Sequence, residues 1–220
     1  MTTPLVIIGA GGFGREVHDV VEAINENASA ATTKFDFLGF IDSHPQNLEL
    51  LADRGALLGG DEALATLPHG TRYVIAIGDG RIRRAIDEEA RALGLVPAIL
   101  IHPEATMGRH HMEIGPGSII CSHVSLTTNI RLGRHVHLNL NVTVGHDTLL
   151  GDYVTINPGA TISGNVVLED EVMIGTGASV IQGKTVGYGS VIGAGSAVIR
   201  NIPAGVTAVG IPAKAIGARL

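Results

Sequence analysis

The apolar positions of this chain fall into two regimes. From Ile114 to Val198 every sixth residue is Ile, Leu or Val, without a miss: Ile114, Ile120, Leu126, Leu132, Leu138, Val144, Leu150, Ile156, Ile162, Leu168, Ile174, Val180, Val186, Ile192 and Val198. Two residues ahead of these runs a second column of small or apolar residues, from Ser118 and Val124 through Val154, Ala160 and Val172 to Ser190 and Ser196. A period of six matches neither an α-helix nor plain two-residue alternation, and a sustained fixed period marks a repeat architecture. It fits a chain that turns a corner every six residues and returns above itself after three sides, with the aliphatic column on the axis. Four to five such coils, about 4.8 Å apart, would stack to roughly 22 Å. Gly often follows the column residue (Gly115, Gly133, Gly145, Gly151, Gly175, Gly187, Gly193), where a corner is expected to need unusual backbone angles. The spacing slips to seven between Met107 and Ile114.

The first hundred residues read differently. Leu5 to Ile8 is a buried strand, followed by Gly9-Ala-Gly11-Gly12-Phe-Gly14 and a helix with Val17, Val20, Val21 and Ile24 on one face. Asn25 to Lys34 is a polar loop, and Phe35 to Ile41 a second strand ending at Asp42. Asp61-Glu62 opens a short helix that ends near Leu67, broken by Pro68-His-Gly70. Tyr73 to Ile77 is a third strand, then Gly78-Asp79-Gly80 and a helix from Arg81 to Leu93 carrying Ile82, Ala85, Ile86, Ala90 and Leu93. Val96 to Ile101 closes the set, and His102-Pro103 begins the coil. Alternating strand and helix imply a small parallel α/β sheet over residues 1–100, which also caps the first coil. The coil is expected over 101–203 and a tail over 204–220, including Val209-Gly-Ile-Pro-Ala-Lys214.

Composition narrows the function. The chain is 45% hydrophobic but only 3% aromatic, with no Trp and 30 Gly, which suits a thin uniform coil better than an ordinary core. A net charge of −6 leaves no basic footprint for nucleic acid or an anionic membrane. The N-terminus lacks the basic and apolar regions of a signal peptide, and no apolar run is long enough to span a bilayer. A single cysteine, Cys121, excludes an intrachain disulfide and fits a reducing compartment. A cytoplasmic location without membrane insertion is expected.

Two motifs carry chemistry. Gly9-x-Gly11-x-x-Gly14, between a strand and a helix, has the context of a dinucleotide fingerprint, whose backbone N–H groups can hold phosphates. About 100 residues are too few for both mononucleotide halves plus a substrate domain, and Asp42 lies 28 residues past Gly14 instead of about 20. A nucleotide-sugar is therefore favoured over NAD, with a simple tight turn as the alternative. The second motif is Val144-Gly145-His146-Asp147. His146 lies two residues past a column position and should point outwards, beside a carboxylate that can fix its tautomer as a general base. A solvated surface histidine is the competing reading. His102, His110, His111, His123, His135 and His137 carry no comparable motif and read as structural or surface residues. A three-histidine metal site finds no support: one coil from His146 lie Thr128 and Gly164, and His135-x-His137 lacks a third partner. No metal is expected.

A Gly-rich α/β domain joined to a hexad coil, with Gly-His-Asp in the middle and Gly-Ile-Pro-Ala-Lys near the end, resembles the bacterial sugar O-/N-acetyltransferases of the sialic-acid O-acetyltransferase and PglD-like family, which are hexapeptide-repeat acyltransferases. The resemblance covers essentially the whole chain. It implies a Rossmann-like nucleotide-sugar-binding domain, a left-handed parallel β-helix, and a homotrimer with acetyl-CoA along the coil between subunits. The family's catalytic histidine and acid fall on His146 and Asp147, where Asp replaces the Glu of the best-known members. Its coenzyme contacts fall on Gly164, Thr176 and Ala194, and Lys214 could meet a coenzyme phosphate. Thr155 takes the place of a second histidine that contacts the acetyl carbonyl in some relatives. Asn139 matches a position lining the acceptor pocket, with asparagine stacking in the coil as the equal alternative; the nucleotide positions fall on Gly11, Gly12, Asp42, Gly78 and Asp79. The implied reaction is direct N-acetyl transfer from acetyl-CoA to an amino sugar carried on UDP, for bacterial surface glycan synthesis. O-acetylation of a free sugar such as sialic acid, or a non-catalytic trimeric nucleotide-binding scaffold, are the alternatives.

Overall fold

The structure is a computed structural model that describes residues 2–29 and 34–219. Five parallel strands, β1 (Thr2–Ile8), β2 (Lys34–Ile41), β3 (Leu57–Gly59), β4 (Arg72–Ile75) and β5 (Val96–Pro97), form a sheet in the order β3-β2-β1-β4-β5. Helix α1 (Gly12–Glu26) covers one face through Val17 and Val21, and α2 (Gly80–Ala92) covers the other near Tyr73 and Ile75. The expected loop from Asn25 is shorter than anticipated, because α1 runs on to Glu26. Asn25 faces the sheet instead, and its Nδ2 donates to the Phe35 carbonyl at 2.8 Å.

The expected last strand, Val96 to Ile101, divides. Val96–Pro97 pairs with β4, whereas Leu100–Ile101 already pairs with Ile119–Ile120 in the coil. At the other end, Val206–Val209 pairs in parallel with Val191–Ile192, so the coil's sheet takes in part of the tail. The first coil is one residue longer than the rest: Leu100 faces Ile119 and Thr106 faces Ser125, a step of nineteen, before Ile130 faces Met112 and the step settles at eighteen. That residue is the seven-residue slip between Met107 and Ile114.

The coil has three sides. Side one holds the strands at Ile119–Ile120, His137–Leu138, Thr155–Ile156, Met173–Ile174 and Val191–Ile192. Side two holds those at Ser125–Leu126, Thr143–Val144, Thr161–Ile162, Ser179–Val180 and Ala197–Val198. Side three holds Ile130–Leu132, Leu149–Leu150, Val167–Leu168 and Thr185–Val186. The aliphatic column and the second column two residues ahead of it fill the axis together.

The corners differ from the sequence reading. Every sixth residue from His111 to Gly195 has a positive φ, among them His123 (58°), Asn129 (53°), His135 (49°), Asp147 (59°) and Gly195 (66°). This position lies three residues past the column; besides Gly117 and Gly159 the early coils fill it with His, Asn, Asp, Tyr or Glu, and from Gly177 it is glycine throughout. Asn, Asp and His tolerate that region better than most side chains. The glycine immediately after the column is required for another reason. A Cβ on Gly115 would lie 2.2 Å from the Gly133 carbonyl oxygen, and one on Gly145 2.6 Å from the Gly164 nitrogen. Those glycines permit the coils to approach; they do not turn the corner.

The α/β domain lies against side one, whose outward residues Ile119, His137 and Thr155 are buried beneath it. Helix α1 packs towards the corner at Cys121, and α2 towards the corner at His135 and Tyr153. The corner between sides two and three is thus the vertex opposite the α/β domain.

Candidate active site

His146 and Asp147 occupy that opposite vertex. His146 Nδ1 lies 2.7 Å from Asp147 Oδ2, and the two side chains are 48% and 44% exposed, so the dyad is formed and open. The left-handed φ of Asp147 turns its carboxylate back towards the preceding imidazole. Its other oxygen accepts from Asn129 Nδ2, one coil below. Hydrogen bonds from Asn129 and then from His146 hold the Asp147 carboxyl below its ordinary pKa. With Nδ1–H donated to Asp147, Nε2 is left as the acceptor, the arrangement a general base needs. Sequence reasoning missed Asn129, although its position eighteen residues before Asp147 could have found it.

Gly164, one coil above, is buried under the imidazole: a Cβ there would lie 2.5 Å from His146 Nε2. Thr176 and Ala194 are exposed, and they stack on the corner between sides one and two. They and the dyad therefore flank side two from its two ends. Lys214 is exposed at the start of the last strand, Lys214–Ala218; its neighbour Ala213 donates to the Ala197 carbonyl at the end of side two. Thr155 departs from its expected role, and Asn139 follows the second of its two readings. Thr155 is 2% exposed and donates from Oγ1 to the Gly78 carbonyl at 2.9 Å, so its hydroxyl is spent on the α/β domain instead of facing a thioester. Asn139 is 7% exposed, and its Nδ2 donates to the Ile156 carbonyl, a rung that Asn157 repeats onto Ile174. It is a ladder asparagine of the coil.

The Gly-rich turn lies at the carboxyl end of β1, where the chain leaves for β2 on one side and returns to β4 on the other. This is the switch point at which open parallel sheets bind ligands. Its glycines divide by role. Gly9 has φ 103°, and a Cβ on Gly14 would lie 2.0 Å from the Gly9 carbonyl oxygen, so both serve the turn. Gly11 and Gly12 are exposed, and Gly11 and Gly78 have nothing within 4 Å of a Cβ, leaving open backbone at the turn. Asp42 braces the turn, accepting from the Ala10 and His44 amides at 2.8 Å each. Asp79 is committed too. It caps α2 by accepting from Arg81 N at 2.8 Å and Ile82 N at 3.3 Å, and it pairs with Arg219 of the tail. Burial opposes its charge, but the Arg81 and Ile82 hydrogen bonds prevail and lower its pKa.

Residues 4–90 match the PglD N-terminal domain family. Over 147 residues the chain is 36% identical to GDP-perosamine N-acetyltransferase of Escherichia coli O157:H7, covering 64% of this chain. The chain thereby spans 61% of the length of that curated relative. The acetyltransferase domain of PglB from Neisseria gonorrhoeae, solved in complex with acetyl coenzyme A, is 35% identical, with TM-score 0.88 over 98% of this chain and 100% of that one. PerB from Caulobacter crescentus, solved with CoA and GDP-perosamine, is 29% identical, with TM-score 0.80 over 97% of each chain. The chain belongs to the PglD-like sugar acetyltransferases. Its coil is accordingly a left-handed parallel β-helix.

The two domains are joined by a buried polar seam that neither hexad spacing nor helical periodicity announces. The apolar residues of α2 do not all face inward: Ile82 is 51% exposed, whereas Arg83 and Asp87 are fully buried. Arg83 donates to the Ile77 and Gly78 carbonyls at 2.7 and 3.0 Å and to the coil carbonyls of Tyr153 at 2.6 Å and His135 at 3.2 Å. Asp87 accepts from Tyr73, from Tyr153 at 2.6 Å, from His135 at 2.8 Å and from Arg134 at 3.1 Å. The coil corner offers carbonyls, rings and a guanidinium to this helix, so polar groups win the inward face. His137, also buried on side one, packs against the Phe13 ring at 5.2 Å in a tilted contact and makes no hydrogen bond through either ring nitrogen among the described residues. Cys121 is buried, which pushes its thiol up to about 12 and leaves it unreactive.

Proposed function

We propose that the chain transfers an acetyl group from acetyl-CoA to the amino group of a nucleoside-diphosphate-linked amino sugar in bacterial surface glycan synthesis. The observation that carries this reading is the half-exposed His146–Asp147 dyad at 2.7 Å. His146 Nε2 removes a proton as the sugar nitrogen attacks the thioester carbonyl, and Asp147 holds the imidazole and supports its positive charge. The C–N bond forms, the C–S bond breaks, and the proton passes to the departing thiolate to give CoA. Gly164, against the imidazole, supports a backbone contact to the acetyl oxygen. Gly11, Gly12 and Gly78 offer open backbone for the diphosphate. The expectation of UDP rests on family resemblance; the relatives named for or solved with GDP-perosamine favour a guanosine carrier.

A homotrimer fits the same geometry. The dyad lies on the vertex opposite the side that carries the nucleotide-binding turn, so a sugar held there needs a dyad from a second copy. Ile181 and Ile199, 42% and 41% exposed on the dyad's own corner, and Leu149, 46% exposed on side three, offer apolar surface for that contact. No helix among the described residues is long and apolar enough to cross a membrane.

The test is turnover of GDP- and UDP-linked 4-amino sugars and of free sialic acid. His146→Ala should lower kcat by about 10²–10⁴ with acetyl-CoA binding retained. Unchanged turnover in that variant overturns the mechanism. Acetylation of the free sugar alone would install O-acetylation instead.

A further inference from the structure

At the carboxyl ends of the strands, a cleft of about 180 Å³ opens between the Gly-rich turn and α2. Ile77, Ile82 and Ile86 line one wall, and Ile82 is 51% exposed at the mouth, an apolar face suited to a flat ring. Two carboxylates reach the rim, Asp42 and Asp61, and they are not equivalent. Asp42 spends both oxygens on the Ala10 and His44 amides. The Asp61 carboxylate accepts no hydrogen bond among the described residues, while its own N–H donates to Ser43 Oγ at 3.0 Å and fixes the residue at the rim. The cleft therefore sets an isoleucine wall against a polar rim of Asp42, Ser43, His44 and Asp61, on which Asp61 offers the one carboxylate whose oxygens are uncommitted among the described residues.

That pattern discriminates between bases. Guanine presents two adjacent donors, N1–H and the exocyclic amine, which a carboxylate accepts in a bidentate pair. Uracil presents one N–H flanked by two carbonyls, whose lone pairs a carboxylate repels. We propose that Asp61 is the specificity residue of the nucleotide cleft and selects a guanosine diphosphate carrier, an inference that rests on the nucleotide-sugar reading above.

Calorimetric titration of the full chain with GDP, UDP, inosine diphosphate and xanthosine diphosphate tests it. GDP should bind about tenfold or more tighter than UDP, with inosine diphosphate, which lacks the amine, weaker than GDP. Asp61→Asn exchanges one acceptor for a donor, so it should lose GDP by about tenfold and gain xanthosine diphosphate, whose C2 carbonyl replaces the amine. Tight UDP binding equal to that of GDP, or an unchanged GDP affinity in Asp61→Asn, overturns the assignment and leaves the nucleotide-sugar reading standing. Binding of none of the four overturns both. Should the variant melt early, the wild-type comparison decides alone, and equal affinity for GDP and inosine diphosphate sinks the proposal.

Discussion

The imidazole of His146 rests on the backbone of Gly164, one coil above, so closely that a Cβ at Gly164 would lie 2.5 Å from Nε2 and 2.6 Å from Cε1. The glycine is not there for its own backbone angles, since its φ lies outside the left-handed region. It is there to let the ring lie flat against the coil. Gly164→Ala must push the ring aside, and a displacement of about 1 Å can cost about 10² in rate. The expected outcome is a large fall in kcat with the melting temperature nearly unchanged, measured by steady-state kinetics alongside thermal unfolding.

Asn129 acts on the dyad through Asp147. Its amide holds one carboxylate oxygen while the other takes the His146 proton. Asn129 has φ 53°, so an alanine would add backbone strain to the loss of the amide, whereas Asn129→Gly removes the amide alone. That variant should reduce kcat by about tenfold and leave the KM for acetyl-CoA in place. A raised KM with normal kcat would show that Asn129 serves binding and not orientation.

Asp87 should make the domain seam sensitive to acid. Burial alone would raise its pKa, but hydrogen bonds from His135, Tyr153 and Tyr73 prevail and hold it well below the ordinary carboxylate range. A depressed acid stabilises the fold above its unfolded value, near 3.9, and that contribution is lost as the pH falls towards the folded value. Asp87→Asn should therefore cost about 3 kcal/mol at neutral pH. In urea titrations its deficit against the wild type should shrink below about pH 4.

A second acid effect begins at higher pH. Burial lowers the pKa of His135, against the opposing pull of Asp87, and burial together with the Arg83 charge pushes that of His137 well down. The unfolded chain then takes up these protons first, so stability should fall as the pH drops below about 6.5. His137→Phe removes one of these protons and preserves a ring against Phe13. Its melting temperature should vary less between pH 7 and 5 than that of the wild type; an unchanged slope would assign the acid sensitivity elsewhere.

The sequence by itself determined what repeats or lies close in the chain. The hexad column gave the coil, because inward-facing positions recur at a fixed interval whatever packs outside. The strand–Gly-rich turn–helix order gave the α/β sheet, and adjacency gave the dyad, since Asp147 needs only its own backbone turn to reach His146. Tertiary structure decided everything that depends on which outward residue meets which neighbour. It placed the left-handed corner three residues past the column and turned the expected corner glycines into points of contact between coils. It spent Thr155 on Gly78, Asn139 on the coil ladder and Asp79 on a helix cap, and it buried Arg83 and Asp87 in place of Ile82. The physical reason is one and the same. An outward side chain finds its partner by the docking of the α/β domain on side one, and neither hexad periodicity nor helical amphipathicity encodes that docking.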